Sequence, residues 1–198
     1  MGTFVPRLTK DGIYESKYYY TNNIFAQYDN EMPNCTCYAW GRFYEISDVY
    51  PTNLPRVDGG KWYPQAVNDG YYKVGDTPAL GAVACYASTV GGAGHVGVVE
   101  VIHPDGSFEL SQSGYHRPIL PYPPDTKNYF WIDTCDGSTK KAAWMGNYDF
   151  QGFIYNPHQP TPPQDPDHPG GTATRVKGKT HFNNKWAYLI TAKMKGRI

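Results

Sequence analysis

Asn34-Cys35-Thr36-Cys37-Tyr38-Ala39-Trp40-Gly41-Arg42 follows Pro33 and opens the clearest helical pattern in the chain. Cys35, Ala39, Phe43 and Ile46 recur at spacings of three to four residues, which predicts a helix between Asn34 and Asp48. Asn34 suits the N-cap, because its side-chain carbonyl can accept from first-turn N–H groups, and Pro33 suits a chain turning into a helix. Cys35 then lies in the first turn, where exposed N–H groups and the positive end of the helix dipole favour a thiolate. The same N–H groups can hold the oxyanion formed when a thiolate attacks an amide carbonyl, a contribution of about 3 kcal/mol per donor.

On the N-terminal side, residues 1–32 are rich in Tyr and Asn, include Tyr18-Tyr19-Tyr20 and keep no helical period, so a strand or extended lead-in is expected. On the C-terminal side, a loop with Pro51, Pro55 and Gly59-Gly60 precedes a second short helix expected at Trp62–Val67. Strands are expected at Ala79–Ala87, Val96–Ile102, Ser107–Ser113 and Asp149–Tyr155, each bounded by Gly, Pro or Asp-Gly. A small antiparallel sheet packed on one or two helices follows, an α+β arrangement.

The second chemically suggestive stretch is Gly91-Gly92-Ala93-Gly94-His95-Val96-Gly97-Val98-Val99-Glu100. It puts one histidine at the start of a strand behind glycines that would leave the imidazole uncovered, as suits a base. The next strand offers Gln112 to orient that imidazole, with Glu109 and Glu100 as fallbacks. If Val101 and Gly106 pair across a four-residue loop, His95 and Gln112 lie directly opposite. A two-residue Asp105-Gly106 loop displaces them by about four residues, roughly 13 Å. Histidines 103, 116, 158, 168 and 181 fall in turns, spacer or tail.

Composition bounds the function classes. A chain of 198 residues with 21 glycines, 17 prolines and 18 tyrosines suits one strand-rich catalytic domain with an appendage. No run approaches the roughly 18 apolar residues of a membrane span, and Met1–Lys10 lacks the pattern of a secretory signal, so a soluble protein is expected. Cys35, Cys37, Cys85 and Cys135 are too few and too unevenly spaced for a disulfide scaffold. All 18 acidic residues precede residue 170 and seven of the 18 basic ones follow it, which splits the chain into a body of net −7 and a tail of +7. The acidic body argues against nucleic acid as a partner. Six prolines between Pro157 and Pro169 make a semi-rigid spacer of about 40 Å, giving an expected catalytic domain at 1–156, a linker at 157–169 and a basic tail at 170–198.

Asn34-Cys35-Thr36-Cys37-Tyr38-Ala39-Trp40 resembles the nucleophile signature of the CHAP family (cysteine, histidine-dependent amidohydrolase/peptidase), with Cys35 rather than Cys37 at the nucleophile's place. Gly75-Asp76 followed by Gly81-Ala82-Val83-Ala84 resembles the family's strand before the active-site hairpin. Gly94-His95-Val96-Gly97-Val98-Val99 is similar to its histidine motif, and Gln151-Gly152-Phe153-Ile154-Tyr155 to its closing strand. The resemblance covers roughly residues 25–156 and implies a papain-like (NlpC/P60-like) fold, with the nucleophile at a helix N-terminus and a sheet against N-terminal helices. It implies a peptidoglycan hydrolase, either an N-acetylmuramoyl-L-alanine amidase or a cross-bridge endopeptidase, with Cys35, His95 and Gln112 as catalytic residues. Family members commonly carry glutamate at the place of Gln112 and asparagine at that of Gly114, so a weaker support for the imidazolium is expected here.

Tyr38, Trp40, Trp62, Tyr63 and Tyr115 are the aromatic residues expected to line a sugar-stacking groove. No cofactor is expected, although Asp29, Asn30 and Glu31 could ligate calcium, as in some related enzymes; a zinc site on Cys35, Cys37 and His95 lacks a second close pair. The resemblance, the spacer and the tail together suggest a bacteriophage endolysin or a virion-tail lysin, resident in the host cytoplasm or the virion and acting on the wall outside the membrane. The tail would grip anionic wall polymers or other tail proteins. A non-catalytic wall-binding or tail component is the alternative.

Overall fold

The computed structural model describes residues 4–13, 16–28, 30–114 and 128–158. Helix α1 spans Cys35–Ser47, and Asn34 caps it: its Oδ1 accepts from the Thr36 N–H at 2.8 Å and the Cys37 N–H at 3.0 Å. The helix stops where Asp48 turns left-handed at φ 52° and returns its N–H to the Tyr44 carbonyl.

Every residue from Thr36 to Tyr44 is buried, so α1 is enclosed all round instead of being amphipathic. One side packs on a sheet through Val83, Cys85, Val96 and Val98. The other is covered by the N-terminal segment, whose approach is so close that a Cβ on Gly41 would lie 2.6 Å from the Tyr19 ring and 2.7 Å from the Tyr18 carbonyl oxygen. The described part of that segment is irregular over residues 4–10 and then a string of turns with one short 3-10 helix, Ala26–Tyr28; of the strand or extended lead-in expected, it contains no strand. Asn23 explains the difference. Its buried side chain donates to the Tyr18 and Cys37 carbonyls at 2.8 and 2.9 Å and accepts from the Phe25 N–H, satisfying backbone groups that a strand would pair in a ladder.

Helix α2 spans Trp62–Asp69 and ends on Gly70 at φ 67°. Six strands are described: β1 Val74–Gly75, β2 Val83–Ser88, β3 His95–Ile102, β4 Phe108–Gly114, β5 Asn128–Cys135 and β6 Tyr148–Ile154. They form one sheet in the order β1-β6-β2-β3-β4-β5 with every pairing antiparallel. This confirms the α+β class; β1 and β5 are the strands not expected from the sequence. Residues 79–81 are a turn, not part of β2, because Gly81 adopts φ 74°. The face of the sheet away from α1 carries a second core of Ala84, Tyr86, Val99, Phe108, Leu110 and Phe153.

The helix is tied to β3 by ions as well as by packing. The Arg42 Nε and Nη2 donate to the two oxygens of Glu100 at 2.9 and 2.8 Å, and the same carboxylate accepts from the Arg7 backbone N–H and the Ser111 hydroxyl. Glu100 has no exposed surface. The four cysteines are free thiols, and no described helix is long and apolar enough to cross a membrane.

Candidate active site

Cys35 begins α1 and His95 begins β3, so the packing of the helix on the sheet brings both to one end of the fold. The backbone of Val96, the residue after His95, lies near enough to the Cys35 thiol to favour its ionised form. Tyr148 of β6 touches both halves of the site: its ring lies 6.2 Å from the His95 ring, and its hydroxyl feels the charge of an ionised Cys35. Close backbone approach builds this corner. A Cβ on Gly94 would fall 2.4 Å from Gly60, and Gly60 donates its N–H to the Ala93 carbonyl at 2.7 Å.

Burial decides the protonation of both groups. Loss of water pushes the Cys35 thiol up to about 11, against the pull of the Val96, Thr36 and Cys35 N–H groups; the Asp58 carboxylate adds to the rise. This rise opposes the lowering expected from the helix N-terminus. Asn34 engages the Thr36 and Cys37 N–H groups, so each of these two is shared with the cap. Burial also holds His95 down to about 4, against the opposing effects of the Gln112 hydrogen bond and the Asp133 charge. At neutral pH the two groups rest as a thiol and a neutral imidazole.

His95 is 6% exposed and not uncovered as its glycine neighbours suggested. The reason lies outside its own segment: Trp131 stacks on the ring at 6.1 Å, Trp144 meets it edge-on at 5.6 Å, and Tyr86 lies 6.4 Å away. The cage has a thermodynamic consequence. The folded pKa lies below the ordinary 6.5, so only the unfolded chain takes up the proton as pH falls through 6.5. Folding stability contributed by this residue should therefore drop between pH 6.5 and pH 4, by about 3 kcal/mol in full. Urea unfolding of wild type and His95→Gln at pH 7 and pH 5 measures it; the wild type should lose more stability than the variant on acidification.

Gln112 reaches His95, its Oε1 lying 2.8 Å from the imidazole Nε2. The route is neither of the two registers considered from the sequence. Val98 pairs with Ser111 and Val99 with Leu110, a shift at the Glu100 bulge follows, and the hairpin closes through residues 103–107. That register sets Gly97, not His95, across from Gln112, and the side chain leans diagonally over the bare glycine. A Cβ on Gly97 would meet Leu110 Cγ at 2.8 Å and Gln112 Cγ at 3.0 Å. Gly97→Ala should thus displace Gln112, destabilise the fold by about 1–3 kcal/mol and lengthen the His95 contact. Thermal unfolding and the imidazole NMR signals check it.

The fallback orienters are occupied elsewhere. Glu109 accepts from His103 Nε2 at 2.9 Å and from the Thr134 hydroxyl, and Glu100 holds Arg42. Tyr38, Trp40 and Trp62 are 0–1% exposed and form core, which corrects their assignment to a substrate groove; the N-terminal segment encloses Tyr38 and Trp40 on α1, and its Phe25 stacks on Trp62 of α2. Tyr63 is half-buried against the same core. Tyr115 and Asp29 lie outside the described residues, as do most of the spacer and the whole tail; Asn30 donates to the Tyr28 carbonyl. Among the described residues no cluster of three metal-ligating side chains occurs. The aromatic residues that do border His95, Trp131, Trp144 and Tyr148, went unnoticed in sequence, although the run Tyr129-Phe130-Trp131-Ile132 carries a strand signal.

Comparison with known proteins agrees with the resemblance in sequence. Residues 27–114 match the family model of the CHAP domain. "Probable autolysin SsaALP" of Staphylococcus aureus is 33% identical over 105 residues, covering 53% of this chain and 36% of that protein. "Probable autolysin LDP" of the same species is 33% identical over 87 residues, covering 41% and 28%. The chain thus spans about a third of the length of these relatives. A crystal structure of N-acetylmuramoyl-L-alanine amidase from Staphylococcus aureus aligns with 22% identity and a TM-score of 0.43, over 65% of this chain and 33% of that one.

Proposed function

We propose that this chain, whose residues 27–114 match the family model of the CHAP domain, is a peptidoglycan hydrolase working by a cysteine–histidine mechanism. The observation that carries the proposal is the His95 Nε2 to Gln112 Oε1 contact of 2.8 Å at the end of the fold where Cys35 begins α1. Gln112 Oε1 can only accept, so Nε2 bears the imidazole proton and Nδ1 keeps the lone pair that a base requires. Substrate entry brings an amide carbonyl to the sulfur. His95 takes the thiol proton as Cys35 attacks, the tetrahedral oxyanion collapses, and the imidazolium gives its proton to the leaving amine. Water activated by the same imidazole then hydrolyses the thioester and restores the thiol.

The raised pKa of the thiol favours a route in which base and nucleophile act together over a preformed ion pair. Trp144 and Tyr148, each half-buried beside the imidazole, are the side chains we assign to substrate contact in place of the buried Tyr38, Trp40 and Trp62. The relatives' names favour an autolysin-like setting, and a phage lysin would use the same chemistry. Mass spectrometry of purified Gram-positive walls after digestion tests the reaction. New amino groups on the alanine next to the sugar identify an amidase, new termini within the peptide an endopeptidase, and the absence of both overturns the proposal.

A further inference from the structure

Behind Gln112 stands a carboxylate on β5 that the mechanism above does not use. Asp133 Oδ2 accepts from Gln112 Nε2 at 2.9 Å, from the indole N–H of Trp131 at 2.8 Å and from that of Trp144 at 2.7 Å. The two tryptophans whose N–H groups hold it are the same two whose rings flank His95. Gln112 itself has no exposed surface, so its amide orientation is set by these partners and not by solvent. An amide can present its oxygen or its nitrogen to a neighbour, and a carboxylate, which only accepts, removes the ambiguity: the NH2 must face Asp133 and the oxygen must face His95.

We infer that Asp133 is the positioning residue of the site, acting on His95 through Gln112 in a chain that runs Asp133 carboxylate, Gln112 amide, His95 imidazole, Cys35 thiol. It has two effects. It locks the imidazole as the Nε2–H tautomer with Nδ1 as base, and it sets a negative charge one side chain away from the imidazolium that forms during acyl transfer. A neutral glutamine next to the imidazole is thereby backed by a full charge, polarised along the hydrogen bonds. Among the described residues, the other ionisable groups near this corner are Cys35 from α1, Tyr86 from β2 and Tyr148 from β6, with Asp58 acting on Cys35. Burial raises the pKa of Cys35, Tyr86 and Tyr148 alike, leaving them neutral at pH 7, so Asp133 is the anion connected to the ring by hydrogen bonds.

This role rests on the proposed cysteine–histidine mechanism, and the test separates the two. Asp133→Asn should lower kcat on soluble wall fragments about 10- to 100-fold, a larger change than in KM, which the residue reaches only through the Trp144 indole. Gln112→Glu alone would set two carboxylates 2.9 Å apart and should lower kcat by a similar factor. In the double variant, Gln112→Glu with Asp133→Asn, the negative charge moves next to the imidazole and the repulsion between two carboxylates is gone. The introduced carboxylate accepts from His95, and the amide oxygen or nitrogen at 133 keeps part of the set of bonds that now meets on Asp133 Oδ2. Its kcat should return to within about tenfold of wild type, a non-additive rescue that a merely structural role would not give. Nitrogen-15 NMR of His95 supplies a readout independent of any wall activity: the wild type should show the Nε2–H tautomer, and Asp133→Leu a mixture of the two. A kcat unchanged in Asp133→Asn, a double variant no better than Gln112→Glu, or the same tautomer in Asp133→Leu overturns the inference. Loss of Cys35 dependence with the tautomer result intact would instead overturn the mechanism.

Discussion

His95→Gln should cut wall hydrolysis at pH 7 by about 10³-fold or more while leaving the fold intact. A thiol whose pKa is about 11 is ionised to roughly one part in 10⁴ at pH 7, so without a base the nucleophile is almost absent. The same argument fixes the pH dependence of what remains. With no imidazole to take the proton, the residual rate should rise about tenfold per pH unit from pH 7 towards pH 10, tracking the thiolate. The wild type should not follow that line, because its base acts together with the thiol as soon as the imidazole is neutral. Rates of wall clearing by the two proteins across pH 6–10 measure the effect. A residual rate in the variant that is flat in pH would mean that the thiol is not the group being ionised.

The second large effect concerns stability. Arg42→Met removes the cation that faces the fully buried Glu100 and should destabilise the protein by about 3–5 kcal/mol. Most of that figure is the penalty of an unpaired carboxylate, since Ser111 and the Arg7 N–H cannot neutralise it. Arg42 also donates to the Val5 carbonyl and to Glu45, so the N-terminal cover over α1 should loosen with it. In urea, with a slope of about 2 kcal/mol/M, the midpoint should fall by roughly 2 M. Adding Glu100→Gln should recover a good part of the loss, because a neutral amide is far less costly to leave inside. Equal midpoints for wild type and Arg42→Met would show the pair to be energetically idle.

Local features were legible in the sequence because local chemistry sets them. The Asn34 cap, the start of α1 at Cys35 and the strand opening at His95 each follow from the residue and its immediate neighbours. Features that depend on chain segments far apart were not. Whether Tyr38 and Trp40 face a groove or a core is decided by residues 4–28 folding over the helix, a matter of turn hydrogen bonds from Asn23. The distance from His95 to Gln112 is set by a bulge at Glu100 and by the missing side chain of Gly97, and neither can be counted off a hairpin drawn with regular pairing. Asp133 was invisible for the plainest reason. It lies 38 residues beyond His95 on a strand not expected from the sequence, and it reaches the imidazole only through another side chain. The helix-terminus argument for Cys35 named a real effect but not the larger one. Burial acts against the neighbouring N–H groups, and the cap engages two of the N–H groups on which the argument relied.

The central claim is that Cys35 is the nucleophile of a wall-cutting amide hydrolysis. Its most direct test is the turbidity of purified Gram-positive walls incubated with wild type and with Cys35→Ala, with released amino termini counted in the same samples. Wild type should clear the walls and release new amino groups, and the folded variant should do neither above background. Equal clearing and equal release by the two proteins would contradict the account.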